Sequence, residues 1–276
     1  MASTLVRGVW GSFRKRGPYE GAVLPPVREV WGHARVDPDR LAAYTRVCGF
    51  PPPEAGRPLP VTYPHVLGFG PTMRLMSRRD FPFPLLGLVH TDIEIRQQGP
   101  LDPAEQPELR VWAEDLEPHR RGSRFTVVTE VLRDGEAVWH SRSGYLCRHR
   151  REQPVEGTRP PAPAPLPVRG VWELPGDLGR RYGAASGDRN PIHLHPLTAR
   201  AFGFPRAIAH GMWTFARCLA EAGPEAEGER LRARAEFRAP VPLPTRVALG
   251  RDGHRFELRK ESDPERLHLT GEWWTG

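Results

Sequence analysis

The sequence predicts an α+β fold: two similar halves, each an antiparallel sheet with helix packed on one face. Three observations predict it. Strand-length stretches alternate apolar and polar residues, helix-length apolar stripes are few, and one short pattern occurs twice. The repeat is Ile93 to Leu101, IEIRQQGPL, against Ala235 to Leu243, AEFRAPVPL, with Arg, Pro and Leu at matching positions.

Taken in chain order, Asp37-Pro38 is an N-cap followed by proline at the first helical position, ahead of Leu41, Tyr44 and Cys48. Val89, Thr91, Ile93 and Ile95 then alternate with His90, Asp92 and Glu94, which predicts a strand with one covered and one wet face. Further strands are expected around Leu109 to Ala113, Phe125 to Val131 and Ala137 to Leu146. The run Gly157 to Pro167, GTRPPAPAPLP, has few backbone donors and suits an extended linker. The expected division is a first domain over 1–155, a linker over 156–167 and a second domain over 168–276. In the second half Asp177 is placed to cap a helix carrying Leu178, Tyr182 and Ala185. Ile208, Met212, Phe215 and Leu219 form one helical stripe. Leu231, Ala233, Ala235 and Phe237 alternate as a strand, and strands are expected around Val247 to Leu249, Arg255 to Leu258 and Leu267 to Trp273. One long helix on a curved sheet, twice over, is the simplest architecture.

Hydrophobic residues are 38% and charged residues 26% of the 276, so a core can form. No stretch approaches the roughly 20 apolar residues that span a bilayer, so no membrane is expected. Met1 to Tyr19 shows no apolar signal region. Cys48, Cys147 and Cys218 are odd in number and far apart, and read as free thiols of a cytoplasmic protein. The net charge of +7 rests almost wholly on arginine, Lys15 and Lys260 being the exceptions. Such a balance suits an anionic partner. The clusters Arg120-Arg121 and Arg148-His149-Arg150-Arg151 lack aromatic interleaving, so nucleic acid is not the expected one.

The chemistry concentrates in Tyr182 to His195, YGAASGDRNPIHLH. Gly187 permits a tight turn and Pro191 biases Asn190 towards an extended conformation, so no helix runs through. On an irregular loop Asp188 and His193 can converge, and a carboxylate beside an imidazole is a workable acid/base pair near neutrality. A surface turn with Asp188 capping and His193 solvated is the competing reading. Downstream, Ala209-His210-Gly211-Met212 opens a helix, whose unpaired N–H groups can stabilise a polarised carbonyl oxygen. Ordinary helix initiation explains the same residues.

SGDRNPIH, followed by a short helix ending in Gly-Phe and then IAHGM, resembles the MaoC-like (R)-specific enoyl-CoA hydratases of the hot-dog fold. The resemblance covers about residues 170 to 276. In the first half TYPHVLGF and LLGLVH resemble, more weakly, the degenerate partner domain of two-domain hydratases, so it implies a double hot-dog. It implies reversible hydration of a trans-2-enoyl-CoA to the (R)-3-hydroxyacyl-CoA. Asp188 and His193 would activate water, Asn190 would orient them, and Gly211 N–H would bind the thioester oxygen. Ser186, His210 and Met212 would line the substrate site, Ser186 as a loop-stabilising hydroxyl. Neither metal nor redox cofactor is implied. The partners implied are an acyl-CoA or an acyl carrier protein, and a second copy forming a homodimer. The alternatives are a 3-hydroxyacyl-carrier dehydratase of fatty-acid or polyketide synthesis, and a non-catalytic thioester-binding subunit. His195 departs from the family pattern, which puts pH dependence in doubt. No alignment of the halves supplies an acid opposite Asp188, so the first half should be catalytically empty. Its segment Tyr63 to Met76 is either plain core or part of an acyl tunnel.

Overall fold

The computed structural model describes residues 15, 19–152, 155, 161–223 and 230–276. The expectation about the leading residues therefore lies largely outside the described residues. So does the 156–160 part of the linker.

The first half contains β1 (Glu29–Trp31), α1 (Pro38–Cys48), α2 (Tyr63–Met76), β2 (Leu88–Gln97), β3 (Glu108–His119), β4 (Gly122–Arg133) and β5 (Glu136–Arg148). The second contains β6 (Val168–Leu174), α3 (Leu178–Ser186), α4 (Pro191–Leu194), α5 (Pro196–Arg200), α6 (Gly211–Ala222), β7 (Leu231–Phe237), β8 (Thr245–Asp252), β9 (Arg255–Lys260) and β10 (Asp263–Thr275). Among the described residues ten strands form one sheet in the order β1-β3-β4-β5-β2-β7-β10-β9-β8-β6. Read from each outer edge inwards, the two halves follow the same path. They meet at β2 and β7, where Ile93 pairs with Ala235. These are the first residues of the repeated pattern, so the repeat brings equivalent positions face to face.

Local chemistry explains the elements. Asp37 accepts from the backbone N–H groups of Asp39 and Arg40 and starts α1, and Gly49, at φ 80°, ends it. Asp177 occupies the N-cap of α3 without a side-chain cap bond. Leu231, Ala233 and Ala235 alternate buried against exposed arginines along β7, as one covered face requires. Each expected strand is present, β7 with the expected ends and the others longer than expected, and the short edge strands β1 and β6 join them.

Three expectations need correction. Several helices, the longest of 14 and 12 residues, cover the sheet in place of one long helix per half. Ile208 is buried but precedes α6, forming a bridge with Pro242. The alternation along β2 breaks at Thr91: His90 pairs with Tyr145 and Asp92 with Gly144, so two residues of β2 oppose one step of β5. Such a bulge reverses the faces on either side of it.

One large core joins the halves, with Tyr44, Trp139, Tyr182, Trp213 and Trp273 all buried in it. Trp213 Nε1 donates to Val47 O at 2.8 Å, tying α6 to α1. Burial of this many large apolar groups is the main favourable term in such a fold. The chain from 161 onwards is anchored across the sheet. Leu166 N donates to Glu257 Oε1 at 2.8 Å and Arg259 Nη2 donates to Pro163 O at 2.7 Å. Among the described residues no helix is long and apolar enough to cross a membrane.

Candidate active site

The predicted loop is compact because glycines let it lie against α3. A Cβ on Gly179 would stand 1.9 Å from the His193 carbonyl oxygen, and one on Gly183 would stand 2.7 Å from that of Asp188. Gly187, at φ 85°, turns the chain out of α3. Asn190 is extended, as the following proline requires, and its side chain accepts from Ile192 N to cap α4, a single turn carrying His193. His193 therefore sits on a short helix inside the expected loop.

Asp188 and His193 are brought together, with His210 as a third member. One donor atom from each of the three lies within 4.8 Å of the others. Asp188 is anchored three ways: its N–H donates to Ser186 Oγ at 3.2 Å, its Oδ1 accepts from Asn190 N at 3.1 Å, and its carbonyl accepts from His210 Nε2 at 3.0 Å. Ser186 thus offers its hydroxyl oxygen to the backbone of the loop. Asn190 steadies the carboxylate through its backbone N–H, while its side chain is engaged in capping.

His193 Nδ1 donates to Ile208 O at 2.8 Å, which leaves the lone pair on Nε2. Burial lowers its pKa, opposed by the Asp188 charge, so the ring is neutral at neutral pH. The His210 ring stacks on it at 3.7 Å and is held neutral by burial and by His193 itself. Each histidine thus keeps one nitrogen beyond its backbone bond. Together with Asp188 they can hold a water or a proton, and they form the one group among the described residues spaced to hold a metal ion. Gly211 is the first residue of α6, where an N–H has no acceptor within its helix. A Cβ there would press within 3.0 Å of the Phe237 ring, so glycine keeps that approach open. Met212 is buried and lines the same cavity. His195 is exposed and caps α5 through Nδ1, which accepts from Leu197 N at 3.2 Å.

The cavity holds about 1530 Å³ and is walled by both halves. From the first half come His65 and Phe69 of α2, one turn apart, with His90 and Tyr145. Most of Tyr63–Met76 is buried, so that segment is core with two residues on the cavity. The first half supplies much of the wall, the acids Asp92, Glu94 and Asp115 included. Sequence reasoning missed His65, His90, Tyr145, Gly179 and Gly183. The bulge, which carries no sequence signature, hid His90. A helical glycine pair, Gly179 and Gly183, was the available signal for close packing.

Residues 153–250 match the family described as the MaoC like domain. The chain is 38% identical over 217 residues to 3-hydroxyacyl-thioester dehydratase X of Mycobacterium tuberculosis, covering 78% of this chain and 76% of that protein. The crystal structure of HtdX from the same organism superposes with a TM-score of 0.78 at 33% identity, over 91% of this chain and 100% of the other. A MaoC-like dehydratase from Phytophthora capsici gives a TM-score of 0.70 at 17% identity, over 92% and 96% of the two chains.

Proposed function

The chain belongs to the MaoC-like dehydratase family, a family of hydro-lyases with the hot-dog fold, and on that premise we propose that it acts on 3-hydroxyacyl thioesters by reversible loss of water. We read 1–155 and 168–276 as two hot-dog units, joined by 156–167, of which the second carries the acid/base pair. The observation that carries this reading is the convergence of Asp188 and His193, one a carboxylate and the other a neutral imidazole with its lone pair on Nε2.

In the dehydration direction the C2 proton passes to the pair. The C2 electrons form the C2–C3 double bond, and the hydroxyl leaves C3 as water with a proton returned by the pair. Neutral His193 takes the C2 proton and delivers it to the departing hydroxyl, and the Asp188 charge stabilises the imidazolium in between. Gly211 N–H stabilises the thioester oxygen as enolate-like charge builds up, where a preorganised donor acts most strongly. In reverse, the same groups add water to a trans-2-enoyl thioester, giving the (R)-3-hydroxyacyl product.

CoA and an acyl carrier protein are both candidate carriers. Arg120, Arg121 and Arg148 line the same cavity as Asp188, which favours an anionic carrier of either kind. We keep residence in the cytoplasm and a homodimer as part of the same proposal.

The test follows the conjugated-thioester absorbance of crotonyl-CoA and a longer enoyl-CoA with wild type, Asp188→Asn and His193→Ala. Loss of the band with wild type alone, giving (R)-3-hydroxyacyl-CoA, supports the reading. Turnover of the carrier-bound ester alone moves it to a carrier-dependent dehydratase. Binding without turnover of any thioester sinks the enzymatic reading.

A further inference from the structure

The bulge in β2 has a consequence for the site. Asp92, beyond it, faces Arg124, whose Nη2 donates to its carboxylate at 2.9 Å on the polar side of the sheet. Unbroken alternation would put His90 on that same side. The extra residue instead turns His90 to the side of its pairing partner Tyr145, where the two rings stack at 4.8 Å and 10°. His65 of α2 lies parallel to it at 6.0 Å, and Phe237 meets it at 4.9 Å. Phe237 is the ring that a side chain on Gly211 would strike. His90 is therefore one ring removed from the candidate oxyanion donor, although it comes from the opposite half.

Its surroundings are those of a binding group. The ring lines the cavity that contains Asp188, and its Nε2 is buried with no hydrogen-bond partner among the described residues. A buried imidazole nitrogen is unfavourable unless something answers it, and such groups gather at functional sites. Burial lowers the pKa of His90 to about 4, against the charges of Asp92 and Asp188 and a hydrogen bond to the Asp92 backbone, so the ring is neutral and Nε2 is the nitrogen left to answer. Nor is packing alone a sufficient reason for histidine here, because a phenylalanine would fill a stack with Tyr145 and Phe237 without stranding a nitrogen. Bulges are found where a side chain is re-aimed beside an active site.

We propose that His90 is a substrate-contacting residue contributed by the first half, its Nε2 hydrogen-bonding an oxygen of the acyl thioester held against Asp188. The inference rests on the hydro-lyase reading. It makes the first half, which was expected to be catalytically empty, a participant in the site.

Two variants separate a hydrogen-bonding role from a packing role. His90→Phe keeps an aromatic ring and removes the nitrogens. His90→Gln gives up the ring but can place an amide nitrogen near the position of Nε2. Steady-state turnover of crotonyl-CoA and thermal melting are measured for both, beside wild type and Asp188→Asn. The expected result is a fall in kcat/KM of about 10-fold or more for His90→Phe with its melting temperature kept, and partial recovery in His90→Gln. A phenylalanine variant as active as wild type, equal losses in both variants, or a glutamine variant worse than the phenylalanine one overturns the proposal. An active wild type with a dead Asp188→Asn and an unimpaired His90→Phe refutes the His90 role alone. A wild type inert on every thioester refutes the functional reading with it.

Discussion

His193 Nδ1 donates a 2.8 Å hydrogen bond to the carbonyl of Ile208, fifteen residues further along the chain. A carbonyl only accepts, so Nδ1 carries the proton and the lone pair falls on Nε2, as the proposed base requires. Removing His193 or neutralising Asp188 therefore strikes the reaction more than the fold. Both His193→Ala and Asp188→Asn are expected to lower kcat by about 10²–10⁴-fold. Circular dichroism and acyl-CoA binding should stay close to wild type. A variant within threefold of wild type would remove that residue from the acid/base pair.

Gly179 touches the same residue from behind. A Cβ added there would stand 1.9 Å from the His193 carbonyl oxygen, a backbone atom that cannot swing aside. Gly179→Ala is expected to cost about 1–3 kcal/mol of stability, as overpacking does. It should also reduce kcat by displacing α4. Denaturant melts and turnover on the same preparation check both. Unchanged values for each would mean that α3 and α4 separate without consequence.

Acid should unfold the protein early. Burial lowers the pKa of His65 to about 3 and of His90 to about 4, and lowers His193 and His210 as well. Each binds a proton more readily when unfolded, so the stabilisation is complete above their ordinary value near 6.5 and is lost as pH falls below it. Each fully shifted histidine contributes a slope of up to about 1.4 kcal/mol per pH unit in that window. Melting temperature should fall steadily from pH 7 to pH 5. His65→Phe should flatten the fall, and a flat profile in wild type would contradict the burial of these rings.

Glu257 and Arg259 form a pair that is almost wholly buried, and Arg259 also holds the carbonyls of Pro163 and Pro264. Arg259→Ala leaves a buried carboxylate without its partner and is expected to cost about 3–5 kcal/mol. Replacing both with apolar residues, Glu257→Leu with Arg259→Met, should cost less than the single change. Chemical denaturation orders the three proteins, and the reverse order would show that the pair itself stabilises the fold.

Much of the site was legible in the sequence. The loop Tyr182 to His195 announced itself through Gly187, Pro191 and the crowding of ionisable groups; the structure brings Asp188 and His193 together and adds His210, which was expected only to line the substrate site. Ser186 Oγ accepts from Asp188 N, and Asn190 meets the carboxylate through its backbone N–H while its side chain caps α4. The role of His195 was open in the sequence; its place as the cap of α5 emerged only with the fold.

The positions of the central strands, the starts of some helices, the internal repeat and the crowding of polar groups on one loop were determined by the sequence alone, because they depend on residues near each other along the chain. Period-two alternation and capping act over a few residues, and so can be read there. The tertiary structure decided what depends on register between strands. The pairing of His90 with Tyr145, and of Asp92 with Gly144, inserts Thr91 as an extra residue and reverses the face of every residue before it. The same logic holds for the join of the halves at Ile93 and Ala235 and for the contact of Gly179 with His193. Pairing across a sheet and backbone contact between helices are set by long-range packing, which no local pattern encodes.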